Sequence, residues 1–430
     1  MPNNRVYYAS QTAQLRPQND TGSSPFGYWY QPLGLQSVGI NTTFNLEQAF
    51  QLGTVELYEN IENVPNVEVT MNKVIDNTAP LYAMCMGGSG GVDAAFGKDL
   101  GSLVNNRVNF RLGIFEDNKQ YASGTAQSHV VCSGMYLSRL NYTLPIDGNG
   151  SEEVTLVGNH KIWNTGSFLG QSSYSFTASD IFSPSKVVGS ITPTKTSGVV
   201  NRQYVNILNS VLPVGSGGIK KPNSAGADQT SPTSLPHFQS ITVSADLGRE
   251  NINELGKFSP YCRYTTFPIE VTSEFQVVSV DGDYVDARDF YLQDFCGQSK
   301  TNLKKHEIKI HLNSSNAANS CSQGMILDLG NKNVLTSVNH TGGDTGGGNV
   351  TVTYSFRNFN NFKILASGTY ADGIAIAVGN GAVSALDYND NNQQVGSQPN
   401  QLSYDSQPDE VSALQTETID SNYSGDTDNV

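Results

Sequence analysis

Charge is scarce in this chain: Asp, Glu, Lys and Arg together make up 15% of its 430 residues. One end lacks positive charge altogether, because no Lys or Arg follows Ser384 while nine acidic residues do, from Asp387 to Asp428. With a net charge of −14, only −5 belongs to residues 1–384. That balance excludes a broad basic groove for sequence-specific nucleic-acid binding. Cysteine is sparse too. Cys85, Cys132, Cys262, Cys296 and Cys321 form no CxxC pair, and their odd number speaks against a secreted disulfide framework. The expectation is reduced thiols in a chain folded in the cytosol. No apolar run approaches the roughly 20 residues that span a bilayer. The opening MPNNRVYYASQ lacks the basic and apolar regions of a secretory signal, so a soluble product is expected.

What the chain has in quantity is Gly, Asn, Ser and Thr, with β-branched residues in short alternating runs, which points to sheets and loops with helix in the minority. It also contains itself twice. LQSVGINTTFNLEQAFQLGTVELYENIENVPNVEVT at 35–70 and FQSITVSADLGRENINELGKFSPYCRYTTFPIEVT at 238–272 match at an offset of 203, which aligns Gln36 with Gln239, Ser37 with Ser240, Gly53 with Gly256 and Pro65 with Pro268. One deletion then aligns Glu68–Thr70 with Glu270–Thr272. Downstream, VCSGMYL faces SCSQGMIL, LSRLNYT from Leu137 faces LTSVNHT from Leu335, and EVTL at Glu153 faces NVTV at Asn349. Two related domains in tandem follow, each of a size that buries its own core.

The shared opening reads as strand, short helix, strand. Ser37–Phe44 and Val67–Ile75 are strands, the latter alternating Val67, Val69, Met71 and Lys73 on one face. Between them NLEQAFQLG at 45–53 reads as a helical turn with an Asn cap and a Gly stop, and RENINELG repeats it before Gly256. Each half closes with a hairpin: MYLSRLNYTLP and EEVTLVGNHKIW flank DGNG, and NVLTSVNHT and NVTVTYSFRNF flank GGDTGGG. Residues 164–237 are a long Ser/Thr/Gly/Pro-rich excursion with an apolar island at Val199–Gly215. Its length suggests ordering by neighbours. Residues 1–34, with Tyr7, Tyr8, Phe26, Tyr28, Trp29 and Tyr30, form a comparable arm, and the last 45 residues read as disordered or ordered by a partner.

No catalytic constellation stands out. Gly87–Gly91 satisfy G-x-S-x-G, with LYAMCM before it as a possible strand, yet no parallel-sheet rhythm or placed Asp and His partners follow; a flexible loop is the better reading. Neither Gly-rich run is followed by Gly-Lys-Ser/Thr, so no phosphate cradle forms. His129, His160, His237, His306, His311 and His340 show no zinc spacing and read as surface or edge residues. The turns at Asp147 and Asp387 lack a calcium-loop pattern. Lys300, Lys304, Lys305 and Lys309 read as a solvated face, with DNA or an acidic partner as the sharper alternative. No catalytic, cofactor-binding or metal site is expected, and the chain is read as not an enzyme.

HFQSITVSADLGRENINELGKFSPYCRYTTFPIEVTSEFQV, VELYENIENVPNVEVTMNKVI and VVNRQYVNILNSVLP together resemble the bacteriophage tail tube (major tail) protein family over roughly residues 35–365. That resemblance implies a mainly β chain of two tandem tail-tube-like β-sandwich or barrel modules, each with a short helix, plus extended arms and loops. The implied organisation is an N-terminal arm at 1–34, a first module at 35–163, an excursion at 164–237, a second module at 238–384 and an acidic tail at 385–430. It also implies a virion protein made in the host bacterial cytoplasm, stacked in rings, touching other tail proteins and passing genomic DNA through a lumen, with no membrane partner. If six equivalent modules close a ring and each chain supplies two, three chains suffice; a true hexamer is the alternative. Glu56, Glu59 and Glu62 are lumen candidates if that segment faces inward. A neck or capsid-associated protein remains open, as does a receptor-binding or glycan-degrading protein, which would need exposed aromatics and a carboxylate pair in a groove; Asp281, Asp283 and Asp286 are close in sequence but read as solvating a strand turn.

Overall fold

The computed structural model describes residues 6–18, 29–76, 78–88, 92–115, 126, 128–165, 187–188, 198–208, 237–258, 260–279, 307–313, 324–342 and 349–366. Within them the chain is mainly β, as its composition led us to expect, with large antiparallel sheets and two short α-helices, α1 (Leu81–Met86) and α2 (Leu100–Leu103). The strands of the first part are β1 (Gln11–Pro17), β2 (Trp29–Tyr30), β3 (Leu35–Thr43), β4 (Leu46–Phe50), β5 (Leu57–Glu62), β6 (Asn66–Val74), β7 (Arg107–Ile114), β8 (Ser128–Pro145), β9 (Ser151–Gly158), β10 (His160–Thr165) and β11 (Val187–Val188). Then come β12 (Val205–Leu208), β13 (His237–Asp246), β14 (Arg249–Ile252), β15 (Cys262–Thr265), β16 (Glu270–Val278), β17 (Lys309–Asn313), β18 (Gly324–Asp328), β19 (Val334–Thr341), β20 (Thr351–Phe359) and β21 (Lys363–Ala366).

In the first part β3 pairs β6, β6 pairs β9 and β9 pairs the C-terminal half of β8. The N-terminal half of β8 pairs β7 and β10, and β7 pairs β1. β4 and β5 form a separate hairpin. The later strands follow the same order of partners. β13 pairs β16, β16 pairs β20 and β20 pairs β19; β18 pairs β17 and β21, β17 pairs β12, and β14 pairs β15. One long strand, β8, thus has its two roles divided between β18 and β19. Pairing slips past Gln36 in β3 and past Gln239 in β13, and again between Leu137 and Arg139 and between Leu335 and Ser337. Such bulges kink a strand and increase its twist.

Strand register departs from the sequence alignment in two places. Ser37 stands opposite Asn72 and Ser240 opposite Gln276, so Asn66 occupies the place of Glu270; the alignment had set Glu68 there. Likewise Leu156 faces Leu137 and Phe356 faces Leu335, which sets Glu153 over Thr353 and not over Asn349. The slips are two and four residues. An even slip keeps the same side chains on the buried face, so hydrophobic pattern alone cannot detect it.

Several local expectations are corrected. Residues 45–53 are not helical: Leu46–Phe50 is β4, and Gly53 turns the hairpin with φ of 91°. Asn45 donates its Nδ2 to Val64 O across the hairpin at 2.8 Å, and its own carbonyl accepts from Asn63 N–H at 2.8 Å, so it closes strands and caps no helix. The second copy behaves alike, with β14 and a φ of 83° at Gly256. Both α-helices therefore lie in the first part, and none is present in the second among the described residues. LYAMCM is α1, not a strand, which removes the strand-to-helix elbow from the G-x-S-x-G reading; Ser89 lies outside the described residues. EEVTLVGNHKIW is two strands broken at Asn159, β9 and β10, which pair opposite halves of β8.

β1 lies inside a sheet between β2 and β7, with Thr12, Ala13, Gln14 and Leu15 buried. Residues 198–208 are tied to the same chain: Val200 N–H donates to Ile75 O, Gly150 N–H donates to Val200 O, and β12 pairs β17. A single hydrophobic core runs through both parts of the chain, from Leu15 and Met71 to Phe275, Tyr354 and Phe362.

The core also encloses ions. Lys73 and Asp76 pair at 2.6 Å, both buried. Glu152 supplies what the wholly buried α1 lacks at its start, because Leu81 N–H and Tyr82 N–H donate to its carboxylate at 2.7 and 2.9 Å. The Tyr142 hydroxyl donates to it as well, at 2.7 Å. Burial raises the Glu152 pKa, opposed by Lys73 and by these donors.

Candidate assembly surface

The first and later strands join at β8 and β13, which pair antiparallel from Arg139 opposite Asp246 to Pro145 opposite Ser240. The joint makes one sheet in the order β3, β6, β9, β8, β13, β16, β20, β19. Its ends are open among the described residues: β3 pairs only β6, and β19 pairs only β20. Natural sheets blunt such edges with Lys, Pro or inward charges. LQSVGINTT and VLTSVNHT contain no Lys, Arg, Asp, Glu or Pro.

Around the internal joint, side chains are covered. Ile241, Val243 and Ala245 on β13 are buried, as are Leu140, Tyr142 and Leu144 opposite them. Leu247 follows β13 with 0% exposure, its N–H donating to Ser138 O at 2.8 Å. Arg249 locks the same corner, donating from Nε to Leu137 O at 2.8 Å and from Nη2 to Val104 O at 2.7 Å, with its guanidinium 5.0 Å from the Tyr136 ring. Burial lowers its pKa to about 10, which leaves it a cation at neutral pH.

The bases of the two hairpins differ in the same sense, while both tips are open to solvent, with Leu255, Phe258 and Tyr261 exposed as Leu52, Val55 and Tyr58 are. β14–β15 is held down by Arg263, which is buried and donates to Asn159 Oδ1 at 3.1 Å and Asn66 Oδ1 at 2.7 Å. β4–β5 is exposed along nearly its whole length and presents Phe50, Leu52, Val55 and Tyr58 to solvent. An apolar strip of that kind on a chain marks a contact surface. Glu56, Glu59 and Glu62 lie exposed on this hairpin.

The residues weighed for chemistry are scattered. His311 is a core residue, not a surface one: it is wholly buried on β17, and burial lowers its pKa to about 4. His129 is buried on β8 with its pKa lowered by burial and by Arg111, His160 shares a hydrogen bond of 2.7 Å with Ser133 Oγ, and His340 is exposed on β19. Lys309 pairs with Glu307; Lys300, Lys304, Lys305 and His306 lie outside the described residues, as do Asp281, Asp283, Asp286, Asp387, Cys296 and Cys321. Among the described residues no group of three His, Cys, Asp or Glu could hold a metal, and no helix is long and apolar enough to cross a membrane. Arg111 and Arg16 flank the Trp29 ring at 4.0 and 4.9 Å, and burial together with Arg16 lowers the Arg111 pKa to about 8. These two contacts fasten β2 onto the sheet of β1 and β7.

No protein-family model and no curated protein matches the chain. Several solved structures are similar over part of it, two of them from the anti-feeding prophage. One is a chain from the 6-fold symmetrised baseplate of the anti-feeding prophage, with a TM-score of 0.28 and 11% identity, covering 38% of this chain and 97% of that one. The other is a chain from the tube-terminating cap of the anti-feeding prophage, with a TM-score of 0.27 and 9% identity, covering 39% and 95%.

Proposed function

We propose that this chain is a structural subunit of a phage tail tube, polymerising as stacked rings of three chains around a channel for DNA. The observation that carries the reading is one order of strand partners used twice and joined by main-chain pairing at β8–β13 into a sheet whose two ends, uncharged, are open among the described residues. A sheet that crosses from one unit to the next and then stops at bare edges is suited to continue in another molecule. The units in this reading run from β1 to β10 and from β12 to β21, each starting earlier than the sequence alignment suggests, because β1 and β12 hold equivalent places against β7 and β17. Six such units from three chains close a ring with approximate sixfold symmetry.

The function is mechanical. Exposed apolar hairpin β4–β5 serves contact with adjacent subunits, and acidic side chains facing the channel repel the DNA backbone at short range so that it slides. Electron microscopy of the purified protein tests the reading. Stacked rings with three chains each are expected. Six-chain rings would keep the tube and remove the trimer, closed rings that never stack would favour a neck or capsid-associated protein, and persistent monomers would overturn the assembly reading.

A further inference from the structure

The internal joint specifies how two copies meet. We infer that β3 of one chain pairs antiparallel with β19 of a second copy in the register of the β8–β13 joint, with Asn41 opposite Asn339 and Phe44 seated as Leu247 is seated. This inference rests on the self-assembly reading and deepens it.

The register follows from shared landmarks. The bulge at Gln36 corresponds to that at Gln239, and the pairing slip after Leu137 corresponds to that after Leu335. In the internal joint Val243, Ser244 and Ala245 face Tyr142, Asn141 and Leu140. Counting from the landmarks, Ile40, Asn41 and Thr42 take the first set of places, and His340, Asn339 and Val338 take the second. Leu247 N–H donates to Ser138 O inside the chain. The corresponding groups on the open ends are Phe44 N–H and Thr336 O.

Exposure supports a missing partner at these ends. Leu247 has 0% exposure, and Phe44 in the equivalent place has 71%. Arg263 and Thr265 are buried beneath the neighbouring sheet, whereas Asn60 and Glu62 in the equivalent places are exposed. Ile241 and Val243 are buried, whereas Val38 and Ile40, though packed against the core, are only partly buried. At these places the element is covered where a second unit is present and bare on the open end, whereas the hairpin tips are exposed in both halves, Leu52 at 101% and Leu255 at 105%. The occupant that supplies the matching surface is a second copy, offering β19 to β3 head to tail. Two identical edges facing each other, β3 on β3, would not reproduce the joint.

Cysteine pairing tests the register. Directly opposed side chains in an antiparallel pair lie about 4.5–5.5 Å apart at Cβ, close enough to oxidise, and a two-residue slip moves them to about 7–8 Å. The full chain carrying Asn41→Cys and Asn339→Cys is expected to form a disulfide-linked ladder under mild oxidation, ending at three chains. Asn41→Cys alone, Asn339→Cys alone and the slipped pair Asn41→Cys with Thr341→Cys are expected to link no faster than the unaltered chain. Asn141→Cys with Ser244→Cys, opposed within one molecule, calibrates the rate. Linkage in either single variant alone, or faster linkage in the slipped pair, would overturn the inference. So would rings seen by microscopy without linkage in the double variant while the internal pair links; the assembly reading would survive that result. No rings and no linkage would remove both.

Discussion

Truncating Leu247 and Phe44 to Ala puts one question to two equivalent places in the sheet. Leu247 is fully buried beside the β8–β13 joint. Removing a buried leucine side chain costs about 2–5 kcal/mol, because the lost transfer energy is joined by the cavity left behind. With about 2–4 °C of Tm per kcal/mol for units of this size, Leu247→Ala should melt on the order of 10 °C lower in a circular-dichroism scan. Phe44 is 71% exposed, so Phe44→Ala should leave the melting of the isolated chain within about 0.5 kcal/mol of the parent. Its cost should surface only on association. Burying a phenylalanine contributes roughly 1.5–3 kcal/mol, which weakens each joint between copies by roughly 10- to 100-fold. Sedimentation velocity over a concentration series reads that shift directly. The reasoning fails if Phe44→Ala lowers Tm as far as Leu247→Ala does, or if assembly of the variant follows the parent's concentration dependence.

Three further outcomes follow from buried groups. Glu152→Gln should destabilise the fold by roughly 2 kcal/mol, since one of the oxygens that accept from Leu81, Tyr82 and Tyr142 becomes a donor; chemical denaturation unchanged within about 0.5 kcal/mol would refute the capping role. His311, with its folded pKa near 4 and an ordinary value of 6.5, favours the folded state fully above pH 6.5, and that contribution falls as the unfolded chain takes up a proton between pH 6.5 and 4. The loss should total roughly 3 kcal/mol, and His311→Leu should flatten the stability profile across that window. Cys85 and Cys132 are buried with pKa values raised by burial, that of Cys132 to about 12, so a thiol reagent should reach the half-exposed Cys262 first and these two only on unfolding. Equal reaction of Cys85 and Cys262 in the native protein would contradict the packing of α1.

The alternation at Val67, Val69, Met71 and Lys73 was legible because period-two patterning has one structural meaning when the residues are β-branched or long. Residues 45–53 misled for a definite reason. A glycine with positive φ ends a helix and turns a hairpin equally well, and Leu46 and Phe50 have the spacing of a helix stripe; only the cross-hairpin bonds of Asn45 decide. The equivalence of β1 and β12 was invisible, since QTAQLRP and VNIL share a place in a sheet and no residue pattern. The pattern puts Lys73 on the Val67 face, but nothing in it says how a charge is accommodated there, or that Glu152 is buried beside it. Their burial depends on Asp76, on the start of α1 and on Tyr142, partners brought together by tertiary folding. The open edges were beyond sequence reading as well, because exposure is a property of where the chain stops finding partners.

The β8–β13 joint has a kinetic meaning besides its geometry. Its two strands are tethered in one chain, so they meet at a local concentration set by the linker and independent of how much protein the cell has made. A ring built from such chains needs diffusion to form only every second joint. Fewer bimolecular encounters separate free subunits from a closed ring, and half of the interfaces cannot be taken by a wrong partner.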